Sequence, residues 1–126
     1  MALSELKGVL ESLPWESTFF GLPSAIVRLR DDAHALTETD FAAWPRVQAK
    51  IPAGRADLLD VLQEHGFCLV EGEVDLSITV THHDSPGAEM ATEQDIPVLR
   101  QMAEQAFAQS RFRAPWYAPE DSGRFY

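Results

Sequence analysis

The stretch AEMATEQDIPVLRQMAEQAFAQSRFRAPWYAPEDSGRFY, residues Ala88–Tyr126, carries the clearest information about the fold of this chain. Its beginning predicts a short strand, Ala88–Ala91, that leads into a helix. Thr92 stands three residues before Asp95, the spacing of a capping box that satisfies the first backbone N–H groups of a helix. The helical stripe that follows consists of Ile96, Leu99, Met102, Ala103, Ala106 and Phe107. A strand followed by a capped helix is typical of the opening of an α/β domain.

The last twenty residues, Phe107–Tyr126, differ from the rest in composition. They contain six aromatic residues, three arginines and two prolines, and they close no recognisable domain. The polar segment Thr81–Gly87 (THHDSPG) is the best candidate for a domain boundary. We therefore expect an N-terminal α/β domain over residues 1–86 and an incomplete second domain over residues 87–126.

The residues before the linker predict a mixed set of strands and helices. The fold class is accordingly α/β (α+β), a mixed sheet with flanking helices. The predicted elements are a helix over Ser4–Leu13, an aromatic loop over Trp15–Gly21, a strand over Ser24–Arg30, a helical turn capped by Thr39 or Asp40, a strand over Arg46–Ile51, a helix over Ala53–Gly66 and a long strand from Phe67 to Val80. The long strand rests on strict alternation from Val70 onward, with apolar or small residues at even positions and polar ones at odd positions.

Composition excludes several classes of function. The net charge of −10 argues against a nucleic-acid partner, because binding to phosphates requires clustered Lys and Arg. No apolar run approaches the roughly 20 residues of a membrane span, and no signal peptide is visible. The single cysteine, Cys68, lies in an apolar run, which predicts a small buried residue in a reducing cytoplasm. The pair His82–His83 has no third ligand at metal-binding spacing, so we expect solvated loop histidines and no metal.

Several segments resemble one protein family. The pattern T-x-x-D-I-x-x-L-x-x-M-A-x-x-A-F followed by S-R-F resembles the first helix of the Gcn5-related N-acetyltransferase fold. More specifically, the chain is similar to the bacterial dTDP-fucosamine acetyltransferases of enterobacterial common antigen synthesis over nearly all its length. The segments that carry this similarity are WESTFFGLPSAIVRL, RVQAKI, LQEHGFCLVEGEVDL and AFAQSRFRAPWYAPEDSGRFY.

The resemblance implies an enzyme that transfers acetyl from acetyl-CoA to the 4-amino group of dTDP-4-amino-4,6-dideoxygalactose. It also implies that this chain holds the first domain and only the opening of the acetyltransferase domain. The glycine-rich loop that binds the pyrophosphate of acetyl-CoA does not occur here, since no two of the seven glycines fall within one short loop. The tyrosine that acts as general acid in the family lies beyond the last residue. We therefore expect the chain alone to bind no acetyl-CoA and to be inactive.

Five residues are candidates for the site. The resemblance places the general base at Glu71, which is followed by Glu73 and Asp75 on the same predicted strand face. Arg111 and Arg113 are candidates for binding the diphosphate of a nucleotide sugar, and Trp116 or Tyr117 for stacking on thymine or sugar. The alternatives are that the acids form the solvated side of an ordinary strand, that Phe107, Phe112 and Trp116 are core residues of the second domain, and that the arginines lie on its surface.

A second hypothesis belongs to another class of function. The 126 residues can also be read as a complete, non-catalytic binding or dimerisation module that takes a nucleotide sugar alone. An unfinished sheet edge at Ala88–Ala91, beside an apolar helix without a partner, predicts self-association. A homo-oligomer, most simply a dimer, is therefore expected.

Overall fold

The computed structural model describes residues 5–81, 87–106 and 111–125. It divides into two compact units, Met1–Leu69 and Val70–Tyr126. The boundary predicted at residues 86 and 87 stays a prediction. The fold class is confirmed, because the described residues form a three-stranded mixed sheet with helices beside it in the chain.

The first unit is built on a sheet of three strands in the order β1-β2-β3. Strand β1 (Gly8–Ser12) pairs antiparallel with β2 (Ser24–Leu29), which pairs in parallel with β3 (Arg46–Ala49). The strands predicted at β2 and β3 are thus confirmed. Helix α1 (Pro14–Phe20) connects β1 to β2, and helix α2 (Glu38–Ala42) lies between β2 and β3.

A helix was expected over Ser4–Leu13, and this prediction is wrong for the described residues 5–13. Leu6, Gly8 and Leu10 point toward the interior while Lys7 and Val9 are exposed, which is the period-two pattern of a strand. The helix prediction rested on the spacing of the apolar residues, although Gly8 is unfavourable inside a helix. At this position a β-carbon would lie 2.5 Å from the carbonyl oxygen of Arg28, so the close approach of β1 to β2 requires glycine.

The aromatic segment after β1 is a helix, where the sequence predicted a loop. Pro14 occupies its first turn, where the missing N–H costs nothing. Gly21 ends α1 in the left-handed conformation, with φ of 66°. Trp15 stacks on Phe19 with ring centroids 5.0 Å apart, yet Trp15 stays 57% exposed.

The core of the first unit lies between the sheet and helix α3 (Ala56–Glu64), whose prediction is confirmed. Its buried members are Leu6, Val27, Leu36, Val61 and Leu62. Burial of each such side chain contributes roughly 1.5–3 kcal/mol. Gly66 follows α3 with φ of 89°, the left-handed backbone expected of a residue just beyond a helix end.

Helix α2 is capped one turn earlier than predicted. Thr37, and not Thr39 or Asp40, is the residue that precedes the helix. Asp40 instead supplies the reciprocal half of the capping box, since its Oδ2 accepts a hydrogen bond of 2.9 Å from the backbone N–H of Thr37.

The long strand predicted from Phe67 to Val80 is not formed. Residues 67–81 contain neither strand nor helix, and every side chain from 71 to 81 is exposed. Alternation predicts which side chains would share a face of a strand. A strand also needs a neighbouring strand whose backbone forms hydrogen bonds with its own. No strand pairs with this segment among residues 5–81, 87–106 and 111–125. Cys68 is consequently exposed and not buried, contrary to the prediction.

The described residues of the second unit, 70–81, 87–106 and 111–125, form two α-helices. The strand predicted at Ala88–Ala91 is absent for the same reason, the lack of a pairing strand in the described part of the chain. The capped helix is confirmed: a 3₁₀ turn (Glu93–Asp95) leads into α4 (Ile96–Ala106), and the Thr92 N–H donates to Asp95 Oδ2 over 2.9 Å. A further helix, α5 (Pro119–Phe125), was not predicted.

Candidate functional site

The candidate site belongs to the second unit and is formed by two segments far apart in sequence. One is the pair Val70–Glu71, directly at the start of the unit, and the other is the turn Arg111–Tyr117. All five residues predicted for the site lie in these two segments. The structure brings three of them, Glu71, Arg111 and Arg113, to the place where the segments meet.

The Glu71 carboxylate is in direct contact with the turn. Its Oε2 atom accepts a hydrogen bond of 3.0 Å from the backbone N–H of Arg111. The side chain is exposed, so the carboxylate is both held by the protein and open to solvent. A general base requires this combination, since it has to reach a proton on a bound substrate from a defined position.

The Arg113 guanidinium makes contacts inside the same unit. Nη2 donates to the carbonyl oxygen of Val70 over 3.2 Å, and Nη1 donates to the carbonyl oxygen of Ala114 over 3.2 Å. Its Cζ atom lies 4.9 Å from the ring centroid of Trp116, a cation–π distance. Nε is buried and has no hydrogen-bond acceptor among the described residues. The arginine is therefore a bridge between the turn and Val70.

Aromatic side chains of the turn and of α5 pack against one another. Phe112 and Tyr117 are each 5% exposed, and their ring centroids are 5.2 Å apart in an edge-to-face arrangement. Phe125 of α5 packs on Phe112 with a centroid distance of 4.4 Å. The Arg111 guanidinium carbon lies 4.3 Å from the Phe112 centroid. Together these contacts give the turn a small apolar core of its own.

The two aromatic candidates differ in accessibility. Tyr117 is buried, and its backbone N–H donates to the carbonyl oxygen of Arg113 over 3.1 Å. Trp116 is 36% exposed and is the ring that a planar ligand can reach in this arrangement. Sequence reasoning offered the two residues as equivalents, because burial within a turn cannot be read from spacing. Phe112, for which the sequence also allowed a place in the core of the second domain, is buried.

Two contributors to the site were missed at the sequence level. The first is the carbonyl oxygen of Val70, which any residue would supply and which leaves no trace in sequence. The second is α5, whose Phe125 supports the turn. A signal for this helix does exist in the sequence Pro119-Glu120-Asp121, since proline in the first turn followed by acidic residues is a typical helix start.

The described residues offer no metal centre and no membrane-spanning helix. Within residues 5–81, 87–106 and 111–125, no three His, Cys, Asp or Glu side chains come together as a metal would require. The pair His82–His83 lies outside these residues. In the same part of the chain, every helix is too short or too polar to cross a bilayer.

Comparison with known proteins confirms the resemblance seen in the sequence. The fold and site define an α+β protein in which a carboxylate and an arginine-rich aromatic turn meet. No protein-family model matches the chain. It is 57% identical, over 121 residues, to a protein from Escherichia coli O6:H1 (strain CFT073) named dTDP-fucosamine acetyltransferase. The match covers 96% of this chain, which spans 54% of the length of that relative.

Proposed function

We propose that this chain is part of an acetyl-CoA-dependent N-acetyltransferase that acts on dTDP-4-amino-4,6-dideoxygalactose. The observation that carries the proposal is the 57% identity over 96% of the chain to a protein named dTDP-fucosamine acetyltransferase. The meeting of Glu71 with the Arg111–Tyr117 turn supports it, because it joins a candidate base to candidate substrate-binding side chains.

In this proposal Glu71 is the general base. The 4-ammonium group of the sugar has to lose a proton before its lone pair can attack the thioester carbon of acetyl-CoA. The Glu71 carboxylate takes this proton, directly or through one water. The amine then attacks, the C–S bond of the thioester breaks, and the departing CoA thiolate takes up the second proton that the nitrogen loses as the amide forms. Its exposed position allows a substrate to approach, and the hydrogen bond from the Arg111 N–H keeps one carboxylate oxygen in place.

The nucleotide part of the substrate is assigned to the turn. Its diphosphate carries negative charge, and we assign it to the guanidinium of Arg111, whose backbone N–H contacts Glu71. The exposed ring of Trp116 offers a stacking surface for thymine. Tyr117, which is buried, contributes to the shape of the turn.

Acetyl-CoA enters the proposal as co-substrate of the enzyme and not as a ligand of these 126 residues alone. Its pyrophosphate is bound in other proteins by successive backbone N–H groups of a glycine-rich loop. The glycines present here are dispersed along the chain. We expect dTDP to bind these residues more tightly than acetyl-CoA. A cytoplasmic location and a homodimeric state complete the proposal.

Catalysis is tested by acetyl transfer with the product of the complete gene. Glu71→Gln should lower kcat by about 10²–10⁴-fold, the range expected for loss of a general base. Asp75→Asn is the matched control, since this exposed carboxylate lies four residues further along the same segment, and its activity should equal that of the native protein. Equal activities of the native protein and Glu71→Gln would remove Glu71 from the mechanism.

A second candidate function is that of a non-catalytic module that binds a nucleotide sugar. The dispersed glycines favour it, because they form no glycine-rich loop for the pyrophosphate of acetyl-CoA. Isothermal titration of the complete gene product with dTDP and with acetyl-CoA separates the two functions. Micromolar binding of acetyl-CoA would exclude the non-catalytic module. A complete gene product that binds dTDP but transfers no acetyl group to any dTDP-amino sugar would exclude the acetyltransferase.

A further inference from the structure

We propose that Arg113 is a positioning residue for Glu71. Its guanidinium attaches the Arg111–Tyr117 turn to the chain at Val70, and this attachment holds the Arg111 N–H against the Glu71 carboxylate. The inference deepens the proposed function, on which it rests in treating Glu71 as the base. It gives Arg113 a role other than the direct binding of diphosphate that its sequence suggests.

The geometry is a two-point attachment between the same two segments. Val70 and Glu71 are adjacent, and each receives one hydrogen bond from the turn: the Val70 carbonyl from Arg113 Nη2 over 3.2 Å, and the Glu71 carboxylate from the Arg111 N–H over 3.0 Å. One hydrogen bond alone would leave the exposed glutamate free to rotate about it. Two bonds to neighbouring residues restrain both the backbone and the carboxylate.

Both terminal nitrogens of Arg113 form hydrogen bonds within the protein. Nη1 and Nη2 each donate to a carbonyl oxygen, and the guanidinium faces the Trp116 ring. Nε is buried without an acceptor among the described residues, which costs free energy because a buried N–H loses its water. A side chain free to turn outward would regain that water. The arrangement is therefore that of an internal bridge between the turn and Val70.

Positioning matters at this place because the segment that carries Glu71 has no secondary structure. Residues 71–81 are exposed and pair with no strand among the described residues, so the backbone there receives no support from a sheet. A base has to stand about 2.6–3.2 Å from the proton it removes. Misplacement by about 1 Å can cost about 10²-fold in rate. The bridge from Arg113 supplies the support that a sheet would otherwise give.

The first test measures the Arg111 amide in the 126-residue chain by ¹⁵N–¹H NMR and hydrogen exchange. Glu71→Gln weakens the acceptor, so it should shift this amide and lower its protection about tenfold or more. Arg113→Ala should produce the same two changes, whereas Arg124→Ala, which removes an exposed arginine of α5, should produce neither. Arg113→Lys keeps the stem and one donor, and it replaces Arg113→Ala if that variant loses its dispersed spectrum. An Arg111 amide that responds to Glu71→Gln but not to either Arg113 variant would overturn the inference.

The second test separates positioning from substrate binding in the complete gene product. Arg113→Ala should lower kcat about 10–100-fold and leave KM for the dTDP-amino sugar within about threefold of the native value. A KM raised tenfold or more at unchanged kcat would make Arg113 a substrate ligand and overturn the inference. Full activity of Glu71→Gln would refute the proposed base, while the NMR result would still report whether the bridge holds the carboxylate. The two failures are therefore distinguishable.

Discussion

Replacement of Gly8 by alanine should destabilise the first unit by forcing β1 away from β2. A β-carbon at this position would lie 2.5 Å from the carbonyl oxygen of Arg28 and 3.3 Å from the α-carbon of Leu29. The first of these distances is about 0.9 Å short of ordinary van der Waals contact, which begins at 3.4 Å. Both neighbours are backbone atoms of β2, so they cannot move without disturbing the β1–β2 ladder.

The size of the effect follows from two opposing contributions. Insertion of a carbon atom into a filled site lowers the free energy of unfolding by roughly 1–3 kcal/mol. Removal of glycine from a strand returns about 0.5–1 kcal/mol of backbone entropy. Because the overlap is with backbone atoms that cannot move aside, the upper part of the first range applies, and we expect the free energy of unfolding to fall by about 1–2 kcal/mol. With a urea slope of about 1 kcal/mol per M, the unfolding midpoint falls by about 1–2 M.

The assay is urea unfolding followed by tryptophan fluorescence. Trp15 and Trp44 lie in the first unit and Trp116 in the second, so a Trp116→Phe background makes the signal specific for the first unit. Gly54→Ala is the matched control, because a β-carbon there meets no atom within 4 Å. An unchanged midpoint for Gly8→Ala, equal to that of Gly54→Ala, would refute the claim that β1 requires glycine at this position.

Three further predictions concern the core, the charges and the exposed segment. Leu62→Ala, at a position 5% exposed, should lower the free energy of unfolding by about 2–4 kcal/mol in the same urea assay, and a loss below about 1 kcal/mol would contradict its place in the core. The two-point ion pair with Arg55 lowers the pKa of Asp57 to about 2, so its stabilising effect is complete above the unfolded pKa of about 3.9 and is lost as pH falls toward 2. In Arg55→Ala, an NMR titration should find the pKa of Asp57 raised toward its ordinary value of about 3.9. An unchanged pKa would contradict the ion pair between Asp57 and Arg55. Sedimentation should show that the chain self-associates and that Leu76→Asp reduces this self-association, because Leu76 is an apolar side chain that is 91% exposed. Ser77→Asp adds the same charge at a neighbouring polar residue and should leave self-association unchanged, and a monomer in all three samples would reject self-association.

Local signals in the sequence predicted several elements correctly. Helix α3 shows the apolar spacing of an amphipathic helix and ends before Gly66, and α4 begins at the capping box of Thr92 and Asp95. These features depend on contacts within one turn of backbone, so sequence is sufficient to reveal them. Strand β3 was also predicted correctly, although its pairing with β2 joins residues distant in sequence.

The errors share a different physical cause. Periodicity predicts which side chains share a face of a helix or strand. The apolar residues of Ser4–Leu13 are compatible with a helix, but β1 forms there because β2 is available to pair with it. From Val70 to Val80 the reverse occurred: alternation was strict and no partner strand exists among the described residues. Hydrogen bonds between strands join residues distant in sequence, and no local pattern specifies them.

The sequence by itself determined the chemistry available to this protein: one acidic segment that includes Glu71, a turn rich in arginine and aromatic residues, and a resemblance to acetyltransferases that comparison confirms. Only the tertiary structure decided what these residues do to one another. It joined Glu71 to the Arg111 N–H across 40 residues, buried Tyr117 while leaving Trp116 accessible, and placed the Arg113 guanidinium on the Val70 carbonyl. The reason is that a hydrogen bond is set by distance and angle in space, and a backbone carbonyl, the acceptor that Arg113 uses, is identical at every position of the sequence.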